Sequence, residues 1–157
     1  MLNHILSTLI SHAIAVNLST STIKNSRFRL WLKKLIKKNQ FVTKQLVFSF
    51  SAYAVAKNLD TYLDFIDVLY QWGGRVMIKR FETQSMSPDV TKKLNPDFIM
   101  IARYIGDGIS LSKQKYEFVQ SMQELGGLLD IAVHAENVQG DNDCYSFKAI
   151  GIAGVCR

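Results

Sequence analysis

A chain of 157 residues with 48% hydrophobic side chains and no low-complexity stretch can bury a real core as one domain. Its formal net charge of +6 permits an acidic partner (nucleic acid, anionic lipid or an acidic protein face) without requiring one. No apolar run approaches the ~20 residues that cross a bilayer, and Cys144 and Cys156 have neither C-x-x-C nor metal-ligand spacing, so two unpaired thiols in a reducing compartment are expected.

Leu2, Ile5, Leu6, Leu9 and Ile10 recur at helical spacing, without the positive leader of a signal peptide. Residues 13–16 read as a buried strand ending in Asn17-Leu18-Ser19. Ser19 to Thr22 then offer N-caps for a helix over 24–38. Its apolar stripe is Phe28, Trp31, Leu32, Leu35 and Ile36; the remainder is crowded by Arg27, Arg29, Lys33, Lys34, Lys37 and Lys38. Such a helix reads as an outer layer with its cations in water, although basic amphipathic helices also meet anionic membranes, acidic proteins or RNA.

Residues 46–50 form a second strand, and 55–72 a long helix with Leu59, Tyr62, Leu63, Ile66, Leu69 and Tyr70 inward. Gly73-Gly74 closes that helix as a left-handed cap. Val76-Met77-Ile78 is a short buried strand that runs into Lys79-Arg80. Met86-Ser87-Pro88 opens a brief helical connector, and Asn95-Pro96-Asp97 turns into a strand over 98–101. Gly106-Asp107-Gly108 is a turn, since it lacks the lysine and spacing of a phosphate loop. A helix over 113–125 ends at Gly126-Gly127, and a strand over 129–134 follows, with His134 in a structural role. A helix-like segment over 145–150 leads to a last strand-like stretch at 151–155.

Strands alternating with helices mean parallel βα units. A closed eight-stranded barrel takes ~250 residues, so the expected fold is α/β, part of a TIM-like (β/α) barrel lacking its amino-terminal strands. Unpaired sheet edges then call for an oligomer or a packing that covers them. Sites in such folds lie at the carboxyl ends of the strands. Here Lys79-Arg80 makes that end basic and unfit for a metal.

Four motifs, in order and at compatible spacing, carry a family resemblance. Val16-Asn17-Leu18-Ser19 resembles the V-N-L-S of EAL domains, barrel phosphodiesterases that cleave cyclic di-GMP. The stretch L-N-P-D-F-I-M-I-A from Leu94 resembles the family's L-x-P-D-x-x-K-I-D, and Ala135-Glu136-Asn137-Val138-Gln139 resembles A-E-G-V-E. Ile150-Gly151-Ile152-Ala153-Gly154-Val155 resembles the stretch before Q-G. The resemblance covers roughly the later two-thirds of such a domain, with the E-A-L strand falling before Met1, and treats residues 1–157 as a single domain fragment.

The resemblance also implies what is missing. The family's metal-held water attacks a phosphodiester, which needs several hard oxygen donors. Asn17 and Glu136 keep ligand-type side chains. The family's paired aspartates fall on Lys79 and Arg80, its catalytic lysine on Met100, the following aspartate on Ala102, a glutamate near Ala52 and the glutamine on Cys156. The implied protein is a catalytically inactive EAL-like regulatory or protein-interaction module of a bacterial signalling protein, without metal or cofactor, and of the kind that adjoins GGDEF domains; an active cyclic di-GMP phosphodiesterase is the third class, disfavoured by these losses. It would be cytoplasmic, or the cytoplasmic part of a membrane-anchored parent.

Two kinds of degenerate member are compatible with these residues. LapD-type receptors bind cyclic di-GMP without cleaving it, and CsrD-type regulators act in RNA decay through partners. The expected partner is another protein or domain, with cyclic di-GMP as the alternative and no direct DNA binding. Asn17, Lys79, Arg80 and Glu136 are the candidate contacts, vestigial or phosphate-binding. Glu136 is expected to pair with Lys79 or Arg80, and Asn17 to satisfy backbone at its strand end.

Overall fold

The structure, a computed structural model, describes residues 13–39 and 43–156; the helix expected near the amino terminus lies outside the described residues, as does the side chain of Cys156. Six strands, β1 (Ile14–Asn17), β2 (Leu46–Ser51), β3 (Arg75–Phe81), β4 (Phe98–Ile101), β5 (Ala132–Glu136) and β6 (Gly154–Cys156), form one sheet in sequence order. Every neighbouring pair is parallel. Among the described residues, β1 and β6 are each paired on one side only, so the sheet is an open segment of a barrel wall, as expected from chain length.

Helices cross between the strands because parallel pairing requires it. They are α1 (Thr20–Lys24), α2 (Ser26–Lys38), α3 (Ala52–Lys57), α4 (Leu59–Gln71), α5 (Pro88–Leu94), α6 (Arg103–Gly106), α7 (Lys113–Leu129) and α8 (Asp141–Ile150), with a 3₁₀ turn at Ile109–Leu111. One face of the sheet is sealed by them: Val76, Ile78, Ile99, Ile101, Val133 and Ala135 are buried. The opposite, inner face carries rows set by the register. One row runs Asn17, Ser49, Met77, Phe98, Ala132, and the next runs Ser51, Lys79, Met100, His134, Gly154. Glycine at 154 makes room for the imidazole, since a Cβ there would lie 3.0 Å from Nδ1 of His134.

Several boundaries differ from the sequence expectation, each for a local reason. The helix expected over 24–38 is α2, starting at Ser26 because the Asn25 side chain accepts a hydrogen bond from the Phe28 N–H as its N-cap, and a separate short helix, α1, capped by Ser19, precedes it. The helix expected over 55–72 begins at Ala52 and breaks at Asn58, whose φ of −137° and ψ of 42° are not helical. Its end matches: Gly73 takes a φ of 77°, and the Gly74 N–H reaches back to the Leu69 carbonyl at 2.9 Å, a Schellman closure. Helix α8 starts at Asp141, four residues earlier than expected.

Gly126-Gly127 does not end α7. The helix continues to Leu129, and Asp130, at φ 57°, supplies the left-handed cap, which moves the start of β5 to Ala132. Gly126 is there for close packing on the sheet: a Cβ would lie 2.6 Å from the Ile131 carbonyl oxygen and 2.9 Å from Val133 Cγ2. Gly126→Ala should therefore lower stability by about 1–3 kcal/mol, although alanine is the better helix former. Urea unfolding of the two proteins checks this, and a gain in stability would contradict the close approach.

Candidate functional site at the carboxyl ends of the strands

The site begins with a backbone irregularity. Pairing of β3 with β4 runs Lys79 to Met100 and then Phe81 to Ile101, leaving Arg80 as an extra residue. This bulge restores the outward phase at Phe81, which is buried with only 2% exposure, while Lys79 stays on the inner face. Arg80 takes a φ of 57°, a left-handed conformation that costs a non-glycine residue about 1–2 kcal/mol. Bulges of this kind re-aim side chains at barrel rims. Simple alternation along K-R-F would have turned Phe81 inward.

Two clefts meet at this rim and share Ser51, Lys79 and Arg80. The larger, about 760 Å³, adds Tyr53, Glu82, Ala102, Arg103, Tyr104 and Glu136. The smaller, about 410 Å³, adds Asn17, Ser19 and Thr20 among others. All four candidate residues thus lie at one end of the sheet, and Lys79 and Arg80 touch both clefts.

The pairing within the site differs from the expectation. Lys79 Nζ donates to Asn17 Oδ1 at 2.7 Å, so Asn17 receives a cation from two strands away and not a backbone group of its own turn. Glu136 pairs with Arg103, whose Nε lies 3.6 Å from Oε1, and not with Lys79 or Arg80. That pair is largely solvated and contributes at most ~1 kcal/mol. Arg80 makes no ion pair among the described residues. Tyr104 donates to Glu82 Oε2 at 2.7 Å; this bond, then partial burial and the Glu82 charge, hold its phenol above the ordinary range.

Arg103, Tyr104 and Ser51 were absent from the candidate set. Arg103 and Tyr104 lie two and three residues past the end of β4, so the strand-end rule that selected Lys79-Arg80 could have found them. Ser51, not Ala52, faces the site: Ser51 is opposite Lys79, whereas Ala52 is fully buried in the first turn of α3. His134 sits deeper on the inner face with its ring 5.8 Å from Phe98, and burial lowers its pKa, which keeps the ring neutral at pH 7. Its role is packing.

A divalent cation held through oxygen needs several converging acidic or amide donors. At this rim the Asn17 oxygen already accepts from an ammonium. Among the described residues no group of three or more His, Cys, Asp and Glu side chains is arranged to hold a metal ion. The donor set does not fit such a metal, and a cationic rim opposes it further.

The loop after β4 is anchored by a buried carboxylate. Asp143 on α8 accepts from the Gly108 N–H at 2.9 Å, the Ser110 N–H at 2.9 Å and the Ser110 hydroxyl at 2.6 Å. Burial alone raises its pKa; the Ser110 hydroxyl, the two backbone donors and the Lys115 charge outweigh this and leave it lowered. Gly106 ends α6 and Asp107-Gly108 form the turn, whose Gly108 N–H is used internally. A lowered carboxyl pKa contributes stability that is present above the unfolded value near ~3.9 and lost as pH falls through the folded value. Asp143→Asn should therefore cost about 1–3 kcal/mol at pH 7 and flatten the fall of the melting temperature below about pH 4. Thermal melts across that range test it; an unchanged acid slope would contradict the assignment.

Among the described residues no helix is long and apolar enough to cross a membrane. Comparison with known proteins places the arrangement. The chain is 25% identical over 142 residues to the cyclic di-GMP phosphodiesterase PdeF of Escherichia coli K12, covering 90% of this chain and 19% of that protein. The Klebsiella pneumoniae BlrP1 manganese and cyclic di-GMP complex superposes with a TM-score of 0.84 at 21% identity, over 96% of this chain and 39% of that one. The Vibrio cholerae LapD S helix–GGDEF–EAL structure bound to cyclic di-GMP gives 0.84 at 14% identity, over 96% and 38%. These likenesses show a shared fold, and the chain spans well under half of each of these proteins. The EAL domain model matches residues 1–156, over the same motifs that surround the rim, and the chain belongs to the EAL domain family.

Proposed function

We propose that this chain is a catalytically inactive EAL domain, a fragment of one such domain that acts as a regulatory or protein-interaction module of a signalling protein. One observation carries the reading: the Lys79 ammonium bonded to Asn17 at 2.7 Å, where the family's chemistry calls for carboxylates and a dication. An inner-face methionine at 100 and a buried alanine at 102 leave no lysine or aspartate on β4 to assist a hydrolytic water. Purified protein incubated with cyclic di-GMP and manganese should produce no linear dinucleotide. Turnover lost in Glu136→Gln would overturn the reading.

A second reading, binding of cyclic di-GMP without hydrolysis, is favoured by the larger cleft. Lys79, Arg80 and Arg103 line it against two carboxylates, Glu82 and Glu136, and a concave site with an excess of cations attracts phosphate without metal. Cyclic di-GMP is also the molecule named for PdeF, BlrP1 and LapD. Calorimetric titration separates the two: saturable heat supports a receptor, and its absence leaves a protein-interaction module. The edges at β1 and β6 are where a partner or second copy would add to the sheet.

A further inference from the structure

The first long helix of the outer layer carries a face that neither reading uses. From Ser26 to Lys38, α2 holds six cations and no carboxylate. Its inner side is settled: Leu32 and Ile36 are buried, and Arg29 is drawn into the fold, with Nη1 2.7 Å from Asp64, Nε 2.6 Å from the Ile23 carbonyl and its guanidinium over the Phe65 ring. The other five, Arg27, Lys33, Lys34, Lys37 and Lys38, are exposed and make no ion pair among the described residues.

Two large apolar side chains sit among these cations. Leu30 is 60% exposed and Trp31 43%. At 100° per residue, Leu30 projects between Lys37 and Lys34 at the centre of the outward face, and Trp31 lies at its margin beside Lys38. Trp31 is braced by the Phe28 ring, 5.7 Å away. A helix needing only solubility would place polar residues at both positions.

We infer that the outward face of α2 is a docking surface for an anionic lipid bilayer. Charge complementarity supplies the attraction, each lysine or arginine near an anionic surface favouring binding by about fivefold. Leu30 and Trp31 enter the interface between headgroups and acyl chains, while the lysine stems extend to the phosphates. A nucleic acid backbone matches the cations equally well but offers nothing to an aliphatic side chain at the centre of the face. Binding by α2 is independent of the nucleotide and interaction readings, because α2 lies on the helical layer and not at the strand ends.

The test is co-sedimentation of the full chain with phosphatidylcholine vesicles, with and without phosphatidylglycerol. Binding should appear with the anionic lipid, weaken with added salt and fall about twenty-five-fold or more in the double variant Lys34→Gln, Lys37→Gln. In a Trp72→Phe background, the fluorescence of Trp31 should shift to the blue on binding. Leu30→Ser should weaken binding while leaving its salt dependence unchanged. Circular dichroism of each variant verifies folding, which these exposed positions do not support. Equal sedimentation with neutral vesicles, or no binding to anionic vesicles alongside capture of a duplex RNA or of polyglutamate, would overturn the proposal.

Discussion

Phe50→Ala is expected to lower the free energy of unfolding by about 3–5 kcal/mol, a large share of the ~5–15 kcal/mol a domain possesses. The ring has no exposed surface and joins the sheet to α4, meeting Tyr62 edge-on at 5.2 Å and Phe65 at 6.2 Å. Tyr62 in turn bonds Thr20 through its hydroxyl at 2.9 Å, which ties α1 to the same cluster. Removing the ring leaves a cavity bounded by aromatic groups that cannot collapse onto it, since each is held by another element. Urea unfolding measures the loss; a change under about 1 kcal/mol would contradict the packing of α4 on β2. Because Ser51 follows Phe50 directly, the variant should also loosen the rim shared by both clefts.

Arg80→Glu is the second change with a large expected effect. Under the receptor reading it replaces a cation that makes no ion pair among the described residues, at the junction of the clefts, with an anion, and affinity for cyclic di-GMP should fall roughly 10- to 150-fold. Arg80→Gly separates charge from fold. Glycine accepts the left-handed backbone that arginine adopts here at a φ of 57°, so stability should hold while affinity still drops by about tenfold. If both variants bind as the original does, phosphate is not held at this rim. Titration calorimetry gives the affinity, and a thermal melt gives the stability.

Much of the architecture was legible because it depends on local rules. The alternation of short apolar strands with amphipathic helices predicts parallel βα units, and the six strands pair in sequence order. Gly73-Gly74 terminates a helix as its chemistry requires. Helix ends set by nearby side chains were less visible. Asn58 interrupts a helical pattern whose hydrophobic period runs on unchanged, and period alone does not register a side chain that bonds back to the Ala54 carbonyl. Gly126 failed as a stop signal because its reason lies in tertiary packing, in the closeness of Ile131 and Val133 as the chain turns back into β5.

The candidate site divides in the same way. Sequence by itself determined that two cations, Lys79 and Arg80, stand at a strand end, and that Asn17 and Glu136 bring oxygen donors to other strand ends. It also determined the composition of α2, cationic throughout and without an acid. Only the tertiary structure decided who meets whom. Lys79 turned to Asn17 and Glu136 to Arg103, because the strand register puts Lys79 and Asn17 on the same inner face and because α6 packs against β5 and brings Arg103 to its end. Only the fold showed that Leu30 and Trp31 face outward, since helical period cannot say which side of an amphipathic helix the sheet will cover when both carry apolar groups.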